Sequence, residues 1–334
     1  MGSIPLKTAI ASLAIMTFPG VAQAEFFLDL GGDVLHNNNV SRAKDGVDIT
    51  DDVSLVLNAN GGYFIQTGDY TSVSLLGNLS FAKYDSYSGL DNFNAGLGAS
   101  LSHKFGLGDE VPTLNISANI DRNTFDNDVR DAWAYRGSAS LSRRFGERLE
   151  MGAGLAYESR DGDNDRLAMD DSPGPSPGPG PSPGPSPGPG PSPGPGPSPG
   201  PDPSPGPGPA PGPKPGDAFS TDTASAFVYA DLDVGELSWI SAQYTRADGE
   251  VTSTSTPNDR IIDAATAITN DRVFGFNKFA YRVDASVNTW ALSWNRAIRE
   301  TGTLSFGVEY HDISNDQGID YDHTIVQAGL LFAF

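Results

Sequence analysis

The stretch His323-Thr-Ile-Val-Gln-Ala-Gly-Leu-Leu-Phe-Ala-Phe334 decides how the rest of the chain is read. Val326, Ala328, Leu330, Phe332 and Phe334 share one face, and Ile325, Gln327, Gly329 and Leu331 share the other. A period of two is the signature of a β-strand, because successive side chains of an extended backbone point to opposite sides. Two settings accommodate such a strand: the last strand of a soluble sandwich, or a strand that touches lipid on one side. The other end of the chain separates them.

Residues Met1 to Ala24 carry a lone Lys7, an apolar run from Thr8 to Phe18, and the small-residue pattern Val21-Ala22-Gln23-Ala24. The run is too short to span a bilayer, so 1–24 reads as a secretory signal peptide cleaved after Ala24. The chain has no cysteine, which removes a lipid anchor and a disulfide framework from consideration. No later stretch holds eighteen consecutive apolar residues. If the mature chain crosses a membrane, the spanning structure must therefore be a closed barrel, because lipid cannot satisfy the open backbone edges of anything else but a helix.

Together the leader and the terminal strand ending on Phe334 resemble those of bacterial outer-membrane β-barrel proteins of the porin-like kind; no narrower family motif is matched. The resemblance implies an all-β fold, a transmembrane antiparallel β-barrel. It implies Phe332 and Phe334 as an assembly signal read by the barrel assembly machinery, and outer-membrane lipid and lipopolysaccharide as surroundings.

Composition narrows the partners. Acidic residues outnumber basic ones 42 to 21, for a net charge of −21, and a polyanion such as nucleic acid needs clustered Lys and Arg. Many acids fall between strands, as in Asp161-Gly-Asp163-Asn-Asp165 and from Asp312 to Asp322, and read as solvated loops. Divalent cations bridging such acidic loops are a further expected partner.

Alternation and turn punctuation give twelve strands, at 26–36, 51–66, 70–84, 92–105, 113–123, 131–145, 149–160, 220–234, 237–248, 280–297, 302–312 and 323–334. Their connections alternate in length. Tight turns fall at Thr67-Gly68-Asp69, Gly106 to Pro112, Gly146-Glu147-Arg148, Gly235-Glu236 and Glu300-Thr301-Gly302, with longer polar segments at every other junction. Short and long loops sorted to opposite ends suit an outer-membrane barrel with short periplasmic turns. An even strand count then places both termini in the periplasm.

The faces agree. Leu114, Ile116, Ala118 and Ile120 oppose Asn115, Ser117, Asn119 and Asp121, so one face is apolar and the other small and polar, as a lumen requires. Two aromatic girdles are expected, Trp133, Tyr135, Tyr157, Tyr281 and Tyr310 toward the long-loop end and Phe26, Phe105, Phe145 and Phe334 toward the short-turn end. The tenth strand resists: Tyr281, Val283, Ala285 and Val287 are odd whereas Trp290, Leu292 and Trp294 are even, which predicts a bulge near Asn288. The outward faces of the eighth and ninth strands stay undetermined.

Every odd position from Pro173 to Pro215 is proline. A two-residue repeat excludes collagen and predicts a disordered, polyproline II-like spacer reaching at most roughly 130 Å at about 3.1 Å per residue. Seven strands precede the tract and five follow, and neither odd set makes a conventional barrel. Residues 172–216 are thus expected as an extracellular insertion in one barrel, formed by 25–171 and 217–334.

No catalytic site is apparent. His36, His103, His311 and His323 are scattered without a nucleophile, although His311, Asp312 and His323 lie near one mouth. Asp161, Asp163 and Asp165 have calcium-loop spacing, but Arg166 and Ser172 occupy the positions that need glycine and glutamate. The reading is neither enzyme nor cofactor protein.

What remains is the lumen, where parity places Asp121, Arg136, Arg144, Glu150, Glu158, Arg282, Asp284 and Glu309, with Arg144 near Glu150 across the Gly146 turn. The expected function is a passive outer-membrane channel for small hydrophilic solutes or ions, weakly cation-preferring. The alternative is a non-conducting surface protein whose barrel anchors the proline-rich loop. An autotransporter translocator is disfavoured, since almost nothing precedes the first strand.

Overall fold

A computed structural model describes residues 24–163, 217–298 and 301–334. The leader, except Ala24, and the proline-rich tract lie outside the described residues.

Strands β1 (Ala24–Asn37), β2 (Asp52–Gly68), β3 (Thr71–Tyr84), β4 (Asn92–Lys104), β5 (Thr113–Phe125), β6 (Ala132–Phe145), β7 (Leu149–Gly162), β8 (Thr221–Gly235) and β9 (Ser238–Ser255) pair antiparallel in sequence order. A helical turn α1 (Asp259–Ala264) and a short strand β10 (Ala267–Asn270) precede β11 (Phe279–Ile298), β12 (Gly302–Ser314) and β13 (Tyr321–Ala333). β11 pairs with β9 from Phe279↔Ser255 to Arg296↔Ser238, and β13 pairs with β1 from Asp29↔Ala333 to Asn37↔Ile325. Twelve strands therefore close on themselves. β10 lies beside the first residues of β11, on the side that β12 takes over from Ser286 onward.

Closure joins the two ends of the chain directly. Leu28 N–H donates to the Phe334 carbonyl at 3.0 Å and Phe334 N–H returns to Leu28 O at 2.8 Å. A ladder with no open edge is the only sheet that lipid tolerates.

The outer face follows from alternation. Leu97 is 68% exposed and Leu155 66%, and Leu30, Val228, Leu292, Val308, Val326 and Phe332 are exposed with them. Small residues on the inner face leave room for longer neighbours. At Gly96 a Cβ would lie 1.9 Å from an Asp121 carboxylate oxygen, so the glycine accommodates that side chain. Gly146, at φ +64, makes the β6–β7 turn in a conformation that favours glycine.

Several sequence expectations are corrected here. β11 has no bulge: its register runs unbroken against β9 and β12. Its odd residues Tyr281, Val283 and Ala285 are buried, while Trp290 and Leu292 are exposed outside. Tyr281 is thus a core residue rather than part of a girdle; Trp133, Tyr135, Tyr157 and Tyr310 are exposed, as are Phe26, Phe105, Phe145 and Phe334. β9 runs to Ser255 instead of stopping near Asp248, because its polar end pairs with the start of β11. The exposed residues of β8 are the even ones, including Val228 and Leu232. In β9, the Tyr244 ring lies 5.5 Å from that of the outward Trp290, which sets the even residues outward there too.

The long loops are not simply solvated either. Asp48, Asp52, Asp91, Asp217 and Asp271 are buried. They are carboxylates that accept hydrogen bonds inside a packed structure at one end of the barrel.

Candidate functional site

On the lumen side, Asp121 of β5 is 1% exposed. It accepts from Asn78 of β3 at 2.8 Å and from Arg136 of β6 at 2.6 Å, and Arg136 also donates to Glu158 of β7 at 2.8 Å. A hydrogen-bonded belt thus reaches from β3 to β7, with alternating charges on β5, β6 and β7. Further round, Glu309 stands 3.3 Å from His311 Nε2, and Thr289 Oγ1 lies 3.0 Å from His311 Nδ1. The ring of His311 stacks on the buried His323 at 4.3 Å. Asp312 points to the other face of β12 from His311, so the carboxylate neighbour of that histidine is Glu309.

Arg144 pairs with Asp233 at 2.8 Å and caps the Glu147 carbonyl at 2.6 Å, rather than meeting Glu150. Glu150 is half-buried on the Glu158 face of β7. Arg282 and Asp284 do not join the lumen set. They occupy the even face of β11 because no bulge resets the alternation; Arg282 meets Glu250 at 3.4 Å and Asp284 is exposed.

The long-loop end is closed by side chains. The ends of β9 and β11, with β10 alongside, form a three-stranded blade with different segments against its two faces. On one face, Tyr281 and Val283 pack with Ile261 and Ala265 from the α1 segment and with Ile319 from the β12–β13 loop. Ser253 donates to Tyr321 Oη at 3.0 Å on the same side. On the other face, Ala280 packs with Ala218 and Phe219, and Thr252 donates to the Ala218 carbonyl at 2.5 Å.

Two aspartates tie distant loops together. Asp271 is fully buried and accepts from Arg130, from Thr254 at 2.9 Å and from Asn127 at 3.2 Å. The Arg130 guanidinium also lies 5.0 Å from the Phe219 ring and 5.5 Å from that of Phe274. Asp48 of the β1–β2 loop accepts from Thr256 N–H at 2.7 Å, Thr256 Oγ1 at 2.9 Å and the Lys278 ammonium. Burial pushes the Asp48 carboxyl up, but the bonds from Lys278 and Thr256 outweigh it and hold the group below the usual carboxylate range.

Beneath this cap lies a cavity of about 770 Å³, bounded by residues of most strands, among them Asn37, Ser117, Ser138, Thr223 and His311. Arg42, Arg130, Arg136 and Arg160 all line it, with Glu158 and Glu250. A smaller space of about 320 Å³ is lined by Asp231, Ser241, Gln243, Glu309 and Gln327.

Arg160 shares the parity of Glu150 and Glu158 and was legible on that ground. Arg42, Arg130, Asp48 and Asp271 stand in loops, where no periodicity marks them. Among the described residues, no group of three His, Asp or Glu side chains is arranged to hold a metal ion.

No protein-family model and no curated protein matches the chain. Among solved structures it is similar to an outer-membrane channel from Pseudomonas putida F1, at 10% identity and a TM-score of 0.53, covering 95% of this chain and all of that one. The NanC porin aligns at 10% identity and a TM-score of 0.39, over 91% of this chain and 98% of that one. The Neisseria meningitidis NalP translocator domain aligns at 9% identity and 0.37, over 92% and 88%. The first of these likenesses identifies the fold as that of an outer-membrane β-barrel.

Proposed function

Given that fold, we propose that the chain is a passive channel of the bacterial outer membrane for small hydrophilic solutes or ions, its outer mouth narrowed by its own loops. The observation that carries the reading is the cavity of about 770 Å³, lined by Ser, Thr, Asn and Arg side chains of most strands together with apolar ones such as Leu90, Phe125 and Val287. The polar groups among them give a hydrated solute partners that lipid does not need. In this reading the termini are periplasmic, and the cap and the proline-rich insertion face outward. Lipopolysaccharide surrounds the exposed apolar band, and Phe332 and Phe334 serve the assembly machinery.

One observation favours the second reading, a non-conducting anchor that displays the 172–216 loop. Tyr281, Ile261, Ile319 and Val283 form a buried, mostly apolar cluster at the long-loop end, and such a cluster offers ions no partners. Conductance of the purified barrel in a planar bilayer decides between them. Discrete steps in the wild type, enlarged when the cap is loosened by Asp271→Ala, support the channel. Silence in both, with insertion demonstrated by heat-modifiable migration, supports the anchor. Protease cleavage at the tract in intact cells tests the orientation.

A further inference from the structure

The cavity beneath the cap is lined by more positive charge than its own carboxylates neutralise. Of its two lining acids, Glu158 is held by Arg136 at 2.8 Å and Glu250 by Arg282 at 3.4 Å. Arg130 is taken by Asp271, and Arg136 also by Asp121. Arg42 and Arg160 line the same space, and among the described residues neither has an ion pair or a side-chain hydrogen bond. The Nε of Arg160 is buried without a partner.

Arg160 feels the attraction of Glu158, whose hydrogen bond goes to Arg136 instead, and the repulsion of Arg42, Arg136 and Arg130. Arg42 is exposed and Arg160 half-buried; like charges gathered in a partly desolvated space repel, and a buried guanidinium nitrogen without an acceptor is costly. The acid-rich chain makes the local excess of arginine more pointed.

The β1–β2 loop is built to present Arg42. Its backbone takes the left-handed conformation at φ 56, rarely adopted by a residue with a side chain. Asn39 holds the turn in place: its Oδ1 accepts from Ala43 N–H at 3.0 Å and from Ser41 Oγ at 3.1 Å, and its Nδ2 donates to the Ala43 carbonyl at 2.9 Å. A fixed turn delivers its side chain with little further loss of freedom on binding.

From these placements we infer that Arg42 and Arg160 form an anion subsite within the lumen, which takes a small hydrophilic solute carrying a carboxylate or phosphate. The forked donors of two guanidiniums match such oxyanions, and a space of 770 Å³ lies within the range of about 300–1,000 Å³ that encloses small-molecule ligands. This deepens the channel reading and rests on it for the route by which the solute arrives, but binding itself is measurable without conduction. The acidic loops then set which ions gather outside, while the subsite sets which solute pauses within.

The test is calorimetric titration of the folded, detergent-solubilised full chain with gluconate, inorganic phosphate and glucose at low salt, with planar-bilayer conductance recorded separately. Gluconate should bind and glucose should not. Arg160→Gln should weaken binding about tenfold or more, Arg160→Lys less so, and R42Q/R160Q should abolish it. Phosphate bound and lost in the same pattern supports recognition of the oxyanion. R160Q should fold at least as stably as the wild type, because it removes a half-buried charge that has no ion pair among the described residues; a purely structural arginine would lose stability instead. Gluconate binding that survives in the double variant, or no binding of either anion to the wild type, overturns the subsite. Binding with silent bilayers upholds the subsite and overturns the channel, whereas conductance without binding does the reverse.

Discussion

The two ends of this barrel are stabilised by different means. At the short-turn end the backbone ladder does most of the work: neighbouring strands meet through turns such as that at Gly146, and Leu28 and Phe334 exchange hydrogen bonds across the seam. At the long-loop end the backbone runs out, and side chains from residues far apart in sequence take over, Asp48 with Lys278 and Asp271 with Arg130. A wall made of ladder hydrogen bonds tolerates most side-chain changes on its lumen face. A cap made of buried carboxylates does not, because removing one partner leaves the other charged and desolvated.

Breaking the cap at its most buried point should have the largest effect. Asp271→Ala leaves Arg130 without its carboxylate and should cost about 3–5 kcal/mol, borne by the cap. Protease sensitivity of the long loops should rise while far-UV circular dichroism of the strands stays unchanged. Loss of strand signal would mean that wall and cap are one cooperative unit.

Next comes the wall's outer face. Leu155→Arg, at mid-strand on the exposed side, should cost about 2–4 kcal/mol in urea unfolding from lipid vesicles, with no selective loosening of the loops. An equal penalty in loop protection would erase the distinction between the two ends.

The cap should also be sensitive to acid. The Asp48 carboxyl is held below its usual range in the folded chain, so its contribution is fully present above the unfolded value of about 3.9 and is lost as pH falls through the lower folded one. Loop proteolysis by an acid-active protease should rise as pH drops through and below about 4, and Asp48→Asn should be loosened already at neutral pH and flatten that dependence. A profile unchanged by Asp48→Asn would place the acid sensitivity elsewhere.

At the seam, Phe334→Lys sits near the membrane interface, where a charge costs about 0–1 kcal/mol in stability. Its expected effect is on assembly: less heat-modifiable barrel in the outer membrane than for Ala333→Lys. The smallest effect belongs to excision of 172–216. Arg160 and Thr221 are already neighbours in the β7–β8 ladder, and shortening a loop changes closure entropy by only about 1 kcal/mol or less, so circular dichroism and heat modifiability should be unchanged.

The same division governs how much was legible in the sequence. The wall was, because alternation in segments such as Leu114 to Asp121 and 323–334 reports directly which side of a strand meets lipid. Where apolar residues turned inward the rule misled: Tyr281, Val283 and Ala285 looked like a lipid face out of register, when Tyr281 and Val283 pack with Ile261 and Ile319 and Ala285 with Ile313 and Tyr321. Polar pairing hid the end of β9 in the same way, since Thr252, Ser253 and Thr254 carry no apolar signal yet are ordered by contacts on both sides. Arg42 was invisible for a further reason, that its role depends on which carboxylates its neighbours have already taken.

The bond pair between Leu28 and Phe334 also dictates an order of events in time. Until the final residues arrive, β1 presents a bare row of amides and carbonyls with nothing to pair it, and the nascent sheet is a template for joining other chains. Completion waits on the contact most distant along the chain, the slowest kind to form. The unpaired edge of the first strand therefore stays open to other chains for as long as the last strand is missing.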